Sequence, residues 1–192
     1  MKKILIFALV FALLGGAVVT AEIRLRSENN YYLQLDQSVY YPKDKKCKLP
    51  VVFFAHNGGA DKSAWGDFPK QVADAGFFTV NFTYKSWDTT EVEAAIDYTL
   101  KKYADKIDLD NVSFVGGCHG GKDLLKIQSN TGLKYKVKDL VVLSVSEDDQ
   151  EVKDAMKASH APILVYYSKN DELGDYYKTV TKNIALNTIT EP

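Results

Sequence analysis

Pro50–His56 (PVVFFAH) is apolar without alternation, the pattern of a strand buried on both faces of a sheet. Such a strand needs helices on both sides, and the residues that follow supply them. Ser63–Ala75 carries helical spacing through Trp65, Phe68, Val72 and Ala75, with Gly76 closing it. Phe77–Tyr84 reads as the next strand, and Asp88 or Thr89 caps a helix whose apolar face is Val92, Ala95, Ile96 and Leu100. The alternation continues with a strand over Asn111–Gly116, a helix near Gly120–Gln128 and a strand over Asp139–Ser144 (DLVVLS). A short helix over Gln150–Ala158, a strand over Pro162–Ser168 (PILVYYS) and a helix over Gly174–Asn187 follow. Thr188-Ile189-Thr190 starts one more strand, so the last strand and helix read as missing or truncated. At the front, Glu22–Ser27 and Tyr31–Tyr41 form an antiparallel pair turned by Glu28-Asn29-Asn30. Strands separated by helices of this length imply parallel βαβ units with right-handed crossovers. The expectation is one α/β domain over 22–192, with a mostly parallel sheet and helices on both faces.

The first residues have a different character. Met1-Lys2-Lys3 is a short positive region, Ile4–Val19 is apolar apart from Gly15 and Gly16, and Val19-Thr20-Ala21 offers small residues for a cut after Ala21. That is the layout of a secretory signal peptide over residues 1–21, leaving no stable membrane span after cleavage. Export to the periplasm or the extracellular space would place Cys47 and Cys118 where disulfides are permitted. A chain of 192 residues fits one domain, and a formal net charge of −1 supplies no basic patch for nucleic acid. Lys43-Asp44-Lys45-Lys46 is read as a solvated loop, because an acid interrupts it and no aromatic residues interleave.

Chemistry concentrates in Val115-Gly116-Gly117-Cys118-His119-Gly120-Gly121. A G-x-Ser/Cys-x-G sequence between a strand and a helix is a nucleophile elbow. The nucleophile occupies a strained turn, so its neighbours two residues away must be Gly to let strand and helix approach. The turn aims the backbone N–H of His119 at a developing oxyanion, and the helix N-terminus behind it favours thiolate. A phosphate-binding loop would instead want G-x-G-x-x-G or a Lys-Ser/Thr ending, and neither fits. His56-Asn57-Gly58-Gly59 follows the first buried strand, where Asn57 and Gly58 can supply the second oxyanion N–H. Asp171, in Ser168-Lys169-Asn170-Asp171, follows a later strand, in the position of the acid that orients a catalytic histidine.

The elbow resembles that of the dienelactone hydrolase family of α/β-hydrolases, G-x-C-x-G-G, matched by Gly116, Cys118, Gly120 and Gly121. The resemblance covers about residues 45–190. It implies a Cys118 nucleophile, an Asp171 acid and hydrolysis of small esters or lactones without a metal or organic cofactor. The family's histidine follows the last strand, which places it beyond Pro192. Of the three histidines present, His56 is read as holding its own loop, His119 as packing or pocket wall, and His160 as lying at the far end of its strand. Without a base, deacylation would slow by orders of magnitude.

Tyr84, Ser86 and Trp87 follow a strand's C-terminal end, where Tyr84 and Trp87 can line a substrate pocket or simply pack over a helix start. Cys47 should lie at the opposite end of the sheet from Cys118. The short segment from Ser146 to Pro162 leaves no room for a cap domain, which suits a shallow site. The two functions in play are a cysteine-dependent ester or lactone hydrolase and a non-catalytic relic that binds a small ligand or partner in the same cleft. The export signal makes a direct prediction: protein recovered from the extracytoplasmic fraction begins at Glu22. Its intact mass checks this, and retention of residues 1–21 would indicate an anchor instead.

Overall fold

The computed structural model describes residues 19–26, 32–85, 87–145, 150–168 and 184–189. They form one eight-stranded sheet in the order β1-β2-β4-β3-β5-β6-β7-β8. The strands are β1 (Val19–Arg26), β2 (Tyr32–Tyr40), β3 (Leu49–Ala55), β4 (Phe78–Thr83), β5 (Ile107–Gly117), β6 (Val137–Leu143), β7 (Ile163–Ser168) and β8 (Ile184–Ile189). The β1–β2 and β2–β4 pairs are antiparallel, and every pair from β4 to β8 is parallel. The mostly parallel sheet with an antiparallel N-terminal edge is the architecture the alternation implied. A cut after Ala21 would leave Glu22–Arg26 of β1 in register with Tyr32–Asp36.

Helices α1 (Phe68–Asp74), α2 (Thr90–Lys102), α3 (His119–Gln128) and α4 (Gln150–Lys157) cover the two faces. The central strand β3 shows why its run is continuously apolar. Phe53 and Ala55 join Phe114, Leu124 and Leu125 in the main core, while Phe54 sits edge-on to Trp65 and Phe68 on the other face. Strand β4 divides the same way. Phe78, Val80 and Phe82 enter the core, whereas Thr79 and Asn81 hydrogen-bond to the backbone of Pro69 and Lys62. A strand between two helix layers has no solvent side on which to place charge.

Three expectations change. The helix over Ser63–Ala75 is two pieces, a 3₁₀ turn at Lys62–Trp65 and then α1. Gly66 lies at φ 52°, which ends the first piece, and Pro69 in the first turn of α1 restarts the second. Strand β5 begins at Ile107 rather than Asn111, its first residues pairing irregularly with β3. Where the last strand was expected to be missing or truncated, β8 pairs six residues in parallel with β7. Residues 184–187, placed in a helix by their spacing, belong to that strand, and the rest of that expected helix lies outside the described residues. Isoleucine, leucine and threonine serve either element, and pairing with β7 decides it.

Helix α3 sits on the sheet with no allowance for a side chain at its contact glycines. A Cβ on Gly120 would come within 2.5 Å of the carbonyl oxygens of Ala55 and His56. One on Gly116 would meet the Gly121 Cα at 2.5 Å. Gly120→Ala should therefore destabilise the fold by about 3 kcal/mol, the upper range of overpacking, although alanine is the better helix former. A thermal melt or urea titration measures it, and an unchanged midpoint would show that α3 can lift off the sheet freely.

Candidate active site

Strand β3 lies between β4 and β5, so the chain leaves β3 to one side and later returns to its other side. Such a reversal opens a crevice beyond the carboxyl ends of the strands. Three segments converge there: residues 56–60 after β3, Tyr84, Lys85 and Trp87 after β4, and the Cys118 turn after β5. The resulting cleft of about 300 Å³ is lined by His56, Gly58, Gly59, Ala60, Tyr84, Lys85, Trp87 and His119. That volume is at the small end for ligand sites.

Cys118 has φ 47° and ψ −113°, a conformation that L-residues avoid and that persists only where the surroundings enforce it. They do so here. The Cys118 N–H donates to the Leu143 carbonyl at the end of β6 (2.8 Å), and the Cys118 carbonyl accepts from Lys122 N–H as α3 begins (3.1 Å). The thiol-bearing residue is half-buried, whereas Cys47 is exposed ahead of β3, and the two are not bonded to each other. They occupy opposite ends of the parallel β3–β5 pair.

The loop after β3 is tied down by His56. Its Nδ1 lies 2.8 Å from the Asn57 carbonyl, and its Nε2 lies 3.2 Å from the Tyr84 N–H. The first contact needs a proton on Nδ1 and the second a lone pair on Nε2, so the ring is neutral with both nitrogens engaged. Burial pushes its pKa below the usual value, against a smaller opposing effect of the Asn57 contact. The Tyr84 ring stacks on His56 at 4.3 Å, and its hydroxyl donates to the His56 carbonyl (2.6 Å). Burial raises the Tyr84 phenol, with Asp123 and Cys118 adding to the effect. Further along, the Asn81 amide donates to the Lys62 carbonyl and Lys62 N–H donates to Thr83, fixing the loop to β4.

Of the residues that sequence singled out, the structure brings Cys118, His119, Gly58, Tyr84 and Trp87 together. The Asn57 backbone N lies beside Gly117, 3.9 Å from where a Cβ would stand. Trp87 is 75% exposed, with its ring 3.2 Å from a notional Gly58 Cβ and its edge against His119 (centroids 4.9 Å). His160 is exposed, just ahead of β7 and away from the cleft. Asp171 lies outside the described residues.

One residue escaped the sequence reading. Asp123 is 1% exposed, one helical turn from His119, with its Oδ2 3.5 Å from His119 Nε2. Among the described residues neither atom makes a hydrogen bond, to the other or to any other group. Burial raises the Asp123 carboxyl to about 6, against the opposing pull of His119, Lys126 and Lys122. The available signal was the i,i+4 spacing of His119 and Asp123, which an apolar-face reading of α3 passes over.

No family model and no curated protein sequence matches the chain. Solved structures do resemble it. The chain aligns with Est1E from Butyrivibrio proteoclasticus at 16% identity and TM-score 0.67, covering 88% of each chain. It aligns with a dienelactone hydrolase-type protein from Klebsiella pneumoniae at 16% identity and TM-score 0.66, covering 92% of this chain and 86% of that one. A 2,6-dihydroxy-pseudo-oxynicotine hydrolase gives 14% identity and TM-score 0.66, with 90% of this chain covering 61% of that longer one. The chain has the α/β-hydrolase fold, and its structural neighbours include esterase and dienelactone hydrolase-like proteins.

The raised carboxyl of Asp123 has a stability consequence. The folded chain holds this proton more tightly than the unfolded chain does. The stabilisation is complete below about pH 4 and is lost as pH rises through about 6. Asp123→Asn carries no such charge. Relative to the parent it should gain on the order of 2–3 kcal/mol between pH 4 and pH 7, at about 1.4 kcal/mol per unit. Urea unfolding at the two pH values checks this, and a pH-independent difference would place the proton elsewhere.

Proposed function

We propose that this chain is a cysteine-dependent hydrolase of small carboxylic esters or lactones, exported through its N-terminal segment. The observation that carries the reading is Cys118 at φ 47° and ψ −113° on the N-terminus of α3, beside a small cleft at the sheet's switch point. A nucleophile held in that turn is exposed to an incoming carbonyl while its neighbours' N–H groups surround the carbonyl oxygen. Structural neighbours that are named as hydrolases agree with this reading.

In the proposed reaction the Cys118 thiolate attacks the carbonyl carbon and a C–S bond forms. The carbonyl π electrons move to oxygen, where the His119 N–H and an N–H of the Asn57-Gly58 turn receive the charge. Collapse breaks the ester C–O bond, and the alkoxide leaves, taking a proton from the site or solvent. Water then cleaves the thioester, releasing the acid and restoring the thiol. Trp87 and Tyr84 form the cleft wall for the acyl group. No step requires a metal or organic cofactor. A second reading, a ligand-binding relic of a hydrolase, draws support from the histidines: both His56 nitrogens are engaged and His160 lies away from the cleft.

Acylation separates the two readings, because it depends on the thiol and not on the later hydrolytic step. Mixed with p-nitrophenyl acetate, the chain should release one equivalent of p-nitrophenolate in a burst. Cys118→Ala should lower the burst rate by about 10³-fold or more, and Cys47→Ala should leave it unchanged. Absence of a burst with Cys118 intact would favour the relic.

A further inference from the structure

We propose that Asp123 is a positioning residue for the Cys118 turn: its carboxylate holds the His119 ring in the cleft wall and thereby fixes the His119 N–H that receives the oxyanion. The inference rests on the hydrolase reading of the same site and adds to it a residue that never touches substrate.

The argument begins with an arrangement that stability alone does not explain. Asp123 and His119 are both more than nine-tenths buried, and the facing atoms, Oδ2 and Nε2, stand 3.5 Å apart with no hydrogen bond to either among the described residues. Burying a carboxylate on so loose a contact costs stability, and an apolar residue at this position of α3 would pack without that cost. What the pair achieves is local. His119 is the first residue of α3 and directly follows the strained Cys118, so one backbone unit carries both the ring and the N–H that borders the turn. Trp87 meets one edge of the ring at 4.9 Å between centroids, while Asp123 holds Nε2 from within the helix. With the ring fixed from two sides, rotation at the start of α3 is restricted. Burial raises the Tyr84 phenol at the cleft wall, and the negative charges of Asp123 and Cys118 raise it further.

Across this gap a charged carboxylate attracts an imidazole N–H more strongly than a carboxylic acid does. The positioning should therefore depend on the ionisation of Asp123. The groups facing it are His119, Lys122 and Lys126 on α3, Asp88 ahead of α2 and Tyr84 after β4. The Tyr84 hydroxyl is occupied by the His56 carbonyl, and burial holds its proton on.

The experiment compares acylation of Cys118 by p-nitrophenyl acetate in the full chain and in Asp123→Asn between pH 5 and pH 8. The Asp123 charge also bears on the thiol, so each acylation rate is divided by that chain's own rate of Cys118 alkylation by iodoacetamide at the same pH, which cancels thiol ionisation from the ratio. The parent should be about 10-fold faster at pH 8, with the ratio falling to within about 2-fold at pH 5. A ratio that stays constant with pH, or stays at unity, overturns the proposal. Alkylation of Cys118 by iodoacetamide develops no oxyanion, so Asp123→Asn should leave it within about 2-fold, and a large drop would mean a general disruption of the turn. His119→Gln tests the same contact from its other end. The double variant should be no slower than the slower single one, whereas fully multiplicative losses would show independent roles. A Cys118→Ala chain that still releases p-nitrophenolate at the parent rate would remove the hydrolase reading itself, an outcome distinct from an unaltered Asp123→Asn.

Discussion

The site depends on how closely α3 approaches the sheet. Gly120 lies against the carbonyls of Ala55 and His56, and Gly116 lies against the backbone of Gly121, each with less clearance than a methyl group needs. That approach leaves the chain between β5 and α3 only the tight turn that Cys118 occupies. The turn's strain, of order 1–3 kcal/mol, is held by the Leu143 hydrogen bond and by the seating of the helix. Lift α3 from the sheet and three things relax at once: the thiol loses its presentation, His119 leaves the cleft wall, and Asp123 gains water.

The second constraint is topological. Because β4 and β5 flank β3, the segments that follow the three strands must meet at one end of the sheet. His56 turns this proximity into a fixed geometry. It bridges the Asn57 carbonyl and the Tyr84 N–H, and Tyr84 returns a hydrogen bond to the His56 carbonyl. These buried polar groups are satisfied by one another, so the cleft floor needs no solvent to hold its shape. The neutral ring also adds no positive charge beside the elbow.

The Asp123–His119 contact is of another kind. Its geometry is loose, its facing atoms make no hydrogen bond among the described residues, and its carboxyl resists ionisation. A buried polar pair that weakens the fold invites a functional account, and here it lies directly under the proposed nucleophile. Stability and activity would then pull in opposite directions at a single residue.

Sequence alone determined the alternation of strands and helices, because an apolar strand such as Pro50–His56 can be buried on both faces only within a covered sheet. It also determined the elbow, since glycines at 116, 120 and 121 around Cys118 answer a steric demand local to a few residues. It misjudged the break at Gly66, which a positive φ makes, and the extent of β8, whose residues suit two elements until pairing with β7 settles the matter. Only the tertiary structure decided that His56 is committed to Asn57 and Tyr84, which lie together because β3 and β4 are neighbours. It likewise decided that Asp123 is buried: the sheet and neighbouring helices close over that face of α3, and burial is a property of what surrounds a residue rather than of the residue.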